Sequence, residues 1–127
     1  NSTRLKDEYD TLSSKNQALK ELIDDVARFI KKETGKTLVI TMIYRTQEEQ
    51  DDLYKNDPKY AVRKFKSPHQ FWHSVDLRSR IFTDEEIRKI ESYINQKYNP
   101  INYYNWTAKN HRIIGNVDHF HIQLSKR

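Results

Sequence analysis

The segment Ser67-Pro-His69-Gln-Phe-Trp-His-Ser-Val-Asp76 carries the densest local pattern in this chain. Its second half continues to Arg78 as alternating polar and apolar residues, which predicts a strand that starts at His73. A loop just before a strand can fold back over it, so His69 and Asp76 can approach one point. Because imidazole and carboxylate both bind divalent metals, the segment predicts a strand of the fold together with two ligands for one cation.

A second segment, Asp118 to Ser125, predicts the strand that carries the third ligand. One face of this strand is apolar (Phe120, Ile122 and Leu124), and the other is polar (His119, His121 and Gln123). If the two strands are neighbours, His121 converges on His69 and Asp76. Two histidines and one carboxylate leave the fourth position of a tetrahedral zinc open for water, which is the arrangement of a zinc-dependent hydrolase.

The flanking residues predict an α+β fold in which a small, partly antiparallel sheet is flanked by helices. Apolar residues recur at helical spacing after Ser14, which with Gln17 fits a capping box, and Gly35 is a suitable stop. Residues 37–43 are rich in β-branched side chains and predict a buried strand.

Two more capping boxes, Thr46 to Glu49 and Thr83 to Glu86, predict the starts of further helices. We expect irregular structure over 59–72. Between 99 and 117 we expect a long loop, with a short strand at 112–114.

The composition indicates one domain. The chain has 127 residues, of which 35% are hydrophobic, and these residues fall into periodic segments that disfavour disorder. We expect residues 1–13 to be a linker from a preceding domain or a frayed start of the first helix, and 14–127 to form a single domain that contains the predicted zinc site. The chain begins with Asn1 rather than Met, so we expect a processed form or a fragment.

Charge and cysteine content restrict the partners. There is no cysteine, so disulfides and thiolate metal sites are excluded. No apolar run reaches the ~20 residues of a transmembrane helix. The net charge is +5, but basic residues are dispersed apart from a cluster at 63–66. Dispersed charge favours solubility over a polyanionic partner, so we expect no nucleic-acid partner.

Three motifs together resemble one family of zinc peptidases. Ser67-x-His69-x6-Asp76 resembles the SxHxxGxAxD signature of the D-alanyl-D-alanine carboxypeptidase, D-Ala-D-Ala dipeptidase and L-alanyl-D-glutamate endopeptidase family. Residues 43–54 (Ile-Tyr-Arg-Thr-x3-Gln-x2-Leu-Tyr) are similar to its upstream YRS…Q…LY segment. Residues 118–121 resemble the closing motif, in which a carboxylate precedes the last zinc histidine by three positions. The motifs keep the family's order, and the resemblance implies its fold, which hedgehog signalling domains share.

The resemblance implies a role for each matched residue. The zinc ligands would be His69, Asp76 and His121. Asp118 would be the general base, and Arg45 would stabilise the oxyanion. His119 shares the face of His121 and is a further catalytic candidate, whereas Ser67, Gln50 and Trp72 are candidates for contact with substrate or for positioning the site.

The implied substrate is a peptidoglycan stem peptide with D-amino acids. Cleavage at a terminal D-Ala and cleavage at an internal bond both remain open. Such an enzyme would act in the cell wall or periplasm, or be delivered by a phage as an endolysin. The sequence does not fix the oligomeric state, and we expect a monomer.

Two positions depart from the family pattern. Trp72 stands where the signature has glycine, and Ser74 stands where it has alanine. Trp72 therefore either lines a different substrate pocket or packs in the core. The base is Asp118 rather than the longer glutamate of many members, and the endopeptidase branch also uses aspartate.

Two other functions compete with the peptidase. The first is a zinc-binding interaction module of the same fold without catalysis, in which Trp72 would block the substrate cleft. The second is a basic nucleic-acid-binding domain, which we rank last because the chain carries no recognised nucleic-acid motif. His73 has the opposite strand parity from Asp76, so we expect it to be structural.

Overall fold

The computed structural model describes residues 2–98, 106–111 and 119–124. The helices in these ranges are α1 (Ser2–Lys15), α2 (Gln17–Thr34), α3 (Gln47–Leu53), α4 (Pro58–Val62) and α5 (Asp84–Lys97). The strands are β1 (Ile40–Met42), β2 (Ser74–Arg78), β3 (Trp106–His111) and β4 (His119–Leu124), and a 3-10 helix spans Pro68–Phe71. Within the described ranges, no helix is both long and apolar enough to span a membrane.

The described strands form one sheet in the order β1-β2-β4-β3, and each neighbouring pair is antiparallel. The predicted α+β class with a small antiparallel sheet is therefore confirmed. In the centre of the sheet, Asp76 is paired with His121 of β4 on one side and with Met42 of β1 on the other. Paired residues of antiparallel strands project to the same face. The register thus brings two of the three predicted ligands together.

One face of β2 and β4 forms the core with the helices. Its buried members are Val75, Leu77, Phe120, Ile122 and Leu124, and they pack with apolar residues of α2 and α5. In β4, buried residues alternate with half-buried ones, as the sequence predicted. The apolar face anchors the sheet, so the opposite face is left for polar side chains.

Helix ends follow the predicted capping boxes in two of three cases. Thr46 begins α3 and Thr83 begins α5, each with the reciprocal bonds of a capping box. Gly35 ends α2 with a φ of 73°, a left-handed conformation that glycine adopts at little cost. The prediction of Ser14 as the cap of α2 is wrong. Asn16 is the cap, because its Oδ1 accepts the Leu19 N–H while its Nδ2 donates to two carbonyls outside the helix.

Residues 2–15 form a helix, where the sequence predicted a linker or a frayed start. Leu5, Tyr9 and Leu12 stand at helical spacing on this otherwise polar segment, and Leu12 is fully buried. Three apolar residues are few for a sequence pattern, but they suffice once the core of the domain offers a surface to cover.

Three other boundaries differ from the sequence predictions. Asp57 caps α4 and Pro58 starts it, so 59–72 is not irregular throughout. Strand β1 covers 40–42 rather than 37–43. Strand β3 lies inside the predicted loop, because its backbone pairs with β4. The predicted strand at 112–114 lies outside the described residues.

A buried carboxylate ties α2 to α5. Asp25 accepts hydrogen bonds from the hydroxyls of Tyr93 at 2.8 Å and Tyr98 at 2.6 Å, and Lys97 Nζ lies 2.9 Å away. Burial alone would raise the pKa of Asp25, but bonds from Lys97 and the two tyrosines outweigh it and hold the pKa below its usual value. The carboxylate is therefore ionised at neutral pH and cross-links the two helices.

We expect Asp25→Asn to lower the free energy of unfolding by about 2 kcal/mol at pH 7, because it weakens the charge-assisted bonds from Tyr93, Tyr98 and Lys97 to a buried carboxylate. A depressed folded-state pKa stabilises the protein above the unfolded pKa of about 4 and loses that effect as the pH falls further. The difference between wild type and variant should therefore shrink below about pH 4 in urea titrations.

The exposed Asp10→Asn is the matched control and should change stability little at either pH. An Asp25→Asn penalty that stays constant as the pH falls through this window would contradict the role of the ionised carboxylate.

Candidate metal centre

Three side chains from three parts of the fold meet on the polar face of the sheet. His69 comes from the 3-10 helix, Asp76 from β2 and His121 from β4. Asp76 Oδ2 lies 3.1 Å from His69 Nε2, and Asp76 Oδ1 lies 2.9 Å from His121 Nδ1. The three candidate ligand atoms lie within 4.8 Å of one another. The predicted ligand set therefore forms one group that could hold a metal ion.

Each histidine is oriented by an oxygen at its outer nitrogen. His69 Nδ1 lies 3.1 Å from the Ile43 carbonyl, and His121 Nε2 lies 3.3 Å from Gln123 Oε1. If the outer nitrogens donate to these acceptors, the inner nitrogens keep their lone pairs for a metal. Metal-ligating histidines usually have such an outer partner. This pattern favours a metal centre over a simple ion-pair cluster.

The Asp76 carboxylate at the centre of the cluster keeps its negative charge. Burial alone would raise the pKa of Asp76, but the bonds from His121 and His69 outweigh it and hold the pKa well below its usual range. Burial lowers the pKa of His121, yet its bond to Asp76 more than offsets this and the net shift is upward. Asp76 is thus ionised at neutral pH. Protons compete with a metal for His121 as the pH falls, so metal affinity decreases in acid.

The donor set suits a divalent metal ion of intermediate (borderline) hardness. Donor atoms around a tetrahedral zinc lie about 3.3 Å apart, given bonds of about 2.0–2.1 Å, so small side-chain adjustments that move Asp76 slightly away from both histidines would accommodate the ion. Two imidazoles and one carboxylate suit zinc, and they also suit ferrous iron, whereas calcium and magnesium prefer oxygen ligands throughout.

Arg45 lies beside the cluster and is held in place by Gln50. Its Nη1 donates to Gln50 Oε1 at 2.9 Å, and the fully buried Gln50 donates in turn to the Phe65 carbonyl at 3.2 Å. The positive charge of Arg45 acts on the pKa of His121, lowering it against the effect of Asp76. Gln50 thus positions Arg45, and Arg45 supplies a cation at the edge of the site.

Ser67 supports the turn that presents His69. It is buried, and its hydroxyl accepts the His69 backbone N–H at 3.2 Å. The Ser67 backbone N–H donates to Gln70 Oε1 at 2.9 Å, which closes the turn. The structure therefore gives Ser67 a positioning role, and its contact with substrate stays a prediction.

Trp72 has a backbone conformation that suits glycine. Its φ is 61°, and among the described residues no other non-glycine has a positive φ. This left-handed conformation costs an L-residue about 1–2 kcal/mol. The Trp72 ring stacks on Tyr44 with centroids 4.6 Å apart, and its carbonyl accepts from Asn16 Nδ2 at 3.0 Å. These contacts help to hold the strained residue, and a substrate contact by Trp72 stays a prediction.

The remaining sequence candidates divide into three cases. His119 lies two residues before His121 on the same half-buried face of β4, opposite Arg78 of β2. Its catalytic role stays a prediction. Asp118 lies outside the described residues. His73 borders a surface pocket beside the junction of α1 and α2, away from the ligand group, and burial lowers its pKa.

The sequence predictions did not include the two oxygens that lie at the outer nitrogens of the histidines. Gln123 shares the strand parity of His121, so the period of two could have identified it as a partner. The Ile43 carbonyl could not have been found, because backbone groups leave no mark in the residue pattern. The Ile43 carbonyl is identified as a partner only in the structure, where the 3-10 helix contacts the residues that follow β1.

Comparison with known proteins adds no functional information, so any functional conclusion rests on the residues of the candidate site. No protein-family model, curated protein or solved structure matches this chain. The resemblance to zinc peptidases therefore depends on three short sequence motifs and stays a prediction.

Zinc at about 100 times its dissociation constant should raise the free energy of unfolding by about 2.7 kcal/mol, because it binds the folded cluster. We expect His69→Ala and Asp76→Asn each to remove this effect. Thermal unfolding followed by circular dichroism, with and without zinc, measures it.

His73→Ala is the matched control, since His73 lies in the same segment but away from the cluster. Stabilisation that survives in His69→Ala, or that is lost in His73→Ala, would rule out the assigned ligands.

The strain at Trp72 can be isolated by two substitutions that both remove the ring. We expect Trp72→Gly to be more stable than Trp72→Ala by about 1 kcal/mol, because only glycine relieves the positive φ. Urea unfolding of both variants measures the difference. Ala27→Gly in α2 should change stability in the opposite direction, by about 0.5–1 kcal/mol. An alanine variant as stable as the glycine variant would show that the backbone there is unstrained.

Proposed function

We propose that this chain is a zinc-dependent peptidase that hydrolyses peptidoglycan stem peptides and has a hedgehog/DD-peptidase-like fold. The observation that carries the proposal is that His121 meets His69 and Asp76, although it lies 45 residues after Asp76 in the sequence. These are the positions at which the motifs resemble the zinc ligands of that family. A chance match of short motifs would not require the three side chains to converge.

The outer partners of the histidines support a bound divalent metal, and the resemblance of the motifs to those of zinc peptidases selects zinc. The structure gives both imidazoles an oxygen at the outer nitrogen, and it gives Asp76 a low pKa. Zinc bound to such a set lowers the pKa of a coordinated water to about 7 and polarises a carbonyl. This is the chemistry that peptide hydrolysis needs at neutral pH.

The motif resemblance assigns the remaining catalytic roles to Asp118 and Arg45. Asp118, three positions before His121, would accept a proton from the attacking water and return it to the leaving amine. The Arg45 guanidinium would donate hydrogen bonds to the oxyanion that develops on the substrate carbonyl. Gln50 fixes Arg45 in advance, so the donor needs little reorganisation during the reaction.

A surface cleft beside Arg45 offers room for part of a peptide. Its volume is about 330 Å³, and it is lined by Met42, Arg45, Glu49, Asp52 and Leu53. Met42 is paired with Asp76 in the sheet, so the cleft adjoins the ligand group. A short peptide lying there would bring a carbonyl towards the cluster and Arg45.

The direct test is hydrolysis of purified peptidoglycan by the zinc-loaded protein. We expect new free amino groups to appear, and we expect Asp118→Ala to reduce their rate of release by about 100-fold or more while zinc stays bound. Arg45→Ala should reduce kcat by about 100-fold or more as well, because an oxyanion donor is lost. Free D-alanine among the products would indicate a carboxypeptidase, and larger fragments would indicate an endopeptidase.

Asp10→Ala, an exposed change on α1, is the control and should hydrolyse peptidoglycan at the wild-type rate. Full activity in Asp118→Ala would refute its role as base. Zinc binding without amine release from several peptidoglycan types would instead support a non-catalytic zinc-binding module.

A further inference from the structure

We propose that helix α1 is part of the support of the metal centre, and that Arg4 and Glu8 are positioning residues for His69 and Arg45. They would act through residues 43–46, here called the Tyr44 loop, which runs from the end of β1 to the start of α3. The inference rests on the proposed function, since it is the role of His69 and Arg45 there that gives the support its purpose.

Side chains of α1 hold both backbone polar groups of Tyr44. Arg4 Nη2 donates to the Tyr44 carbonyl at 3.1 Å, and the Tyr44 N–H donates to Glu8 Oε1 at 3.3 Å. Arg4 Nε also donates to Glu8 Oε2 at 2.7 Å, which locks the two side chains together. Arg4 and Glu8 thus satisfy both the carbonyl and the N–H of Tyr44, as the backbone of a neighbouring strand would.

The residues on either side of Tyr44 hold His69. The Ile43 carbonyl lies 3.1 Å from His69 Nδ1, and the Arg45 N–H donates to the His69 carbonyl at 3.2 Å. The ring and the backbone of this ligand are therefore both bonded to the Tyr44 loop. A displacement of the loop would move the His69 Nε2 atom relative to Asp76.

Arg4 also reaches the helix that positions Arg45. Its two terminal nitrogens donate to the two carboxylate oxygens of Glu49, each at 2.7 Å. The bond from Arg4 lowers the pKa of Glu49 to about 2, so the pair is fully charged at neutral pH. Glu49 in turn caps α3 by accepting the Thr46 N–H at 3.0 Å. The next residue of α3 is Gln50, which bonds to Arg45.

These polar contacts are separate from the packing that keeps α1 folded onto the domain. The apolar residues of α1 cover the core, whereas the Arg4 side chain is 43% exposed. Exposed ion pairs contribute little to overall stability. Three charged groups, Arg4, Glu8 and Glu49, converge on one backbone segment next to His69. Local positioning therefore explains this cluster better than stability of the fold does.

The experiment compares Arg4→Gln and Glu8→Ala with wild type in two measurements. The first is zinc affinity, by competition with a chromogenic chelator. We expect a loss of about threefold to tenfold, smaller than the 10–100-fold typical of removing a direct partner of a ligand. The second is hydrogen exchange of the Arg45 amide in the metal-free protein, followed by NMR. We expect faster exchange, although neither substituted side chain bonds to that amide.

Arg28→Gln is the matched control. Arg28 is an exposed helical arginine whose acidic partner, Asp25, lies in its own helix, and it is remote from the Tyr44 loop. We expect this variant to keep both the zinc affinity and the Arg45 exchange rate of wild type. Melting temperatures of all variants should stay close to wild type, which separates positioning from unfolding.

Unchanged Arg45 exchange in both α1 variants would overturn the proposal, and so would faster exchange with unchanged zinc affinity. If wild type itself binds no zinc, the proposed function fails, and Arg45 exchange alone then decides whether α1 supports the loop. If zinc affinity falls but peptidoglycan is never cleaved, the support stands and only the peptidase function fails.

Discussion

The Asp76 carboxylate is the group on which the arrangement of the site depends. It is buried, and a buried charge is costly unless it is paired and hydrogen-bonded. Its two oxygens are bonded to His69 and His121, which arrive on a 3-10 helix and on β4. Burial of the apolar face of β2 and β4 does not itself offset the cost of burying the Asp76 charge. It does fix the register that sets Asp76 opposite His121. Core packing and site geometry are thus coupled through one strand pair.

The site continues outward from this carboxylate through successive layers of hydrogen bonds. The histidines contact Asp76 on one side and oxygen acceptors on the other. The Tyr44 loop supplies one of these acceptors, and α1 holds the loop through Arg4 and Glu8. The left-handed Trp72 stacks on Tyr44 from the same region. Within the described residues, α1, α3, the 3-10 helix, β2 and β4 all contribute groups to this network.

Much of the fold and all three members of the candidate ligand group could be predicted from local patterns. Strand parity placed Asp76 and His121 correctly, and capping boxes placed the starts of α3 and α5. Features that depend on distant contacts could not be predicted. The pattern of α1 contains only three apolar residues, and its contacts with the core and with the Tyr44 loop involve residues distant in sequence. Likewise, Trp72 was a departure from a glycine motif in the sequence, and the structure supplies the positive φ as the physical reason why glycine suits that position.

We propose that His69, Asp76 and His121 bind one zinc ion. A crystal structure of the zinc-loaded protein, with data collected at the zinc absorption edge, would locate the metal directly. We expect one anomalous peak about 2.0–2.1 Å from His69 Nε2 and His121 Nδ1, and about 2.0–2.2 Å from an Asp76 oxygen. A peak elsewhere on the surface, with the three side chains still bonded only to one another, would contradict it.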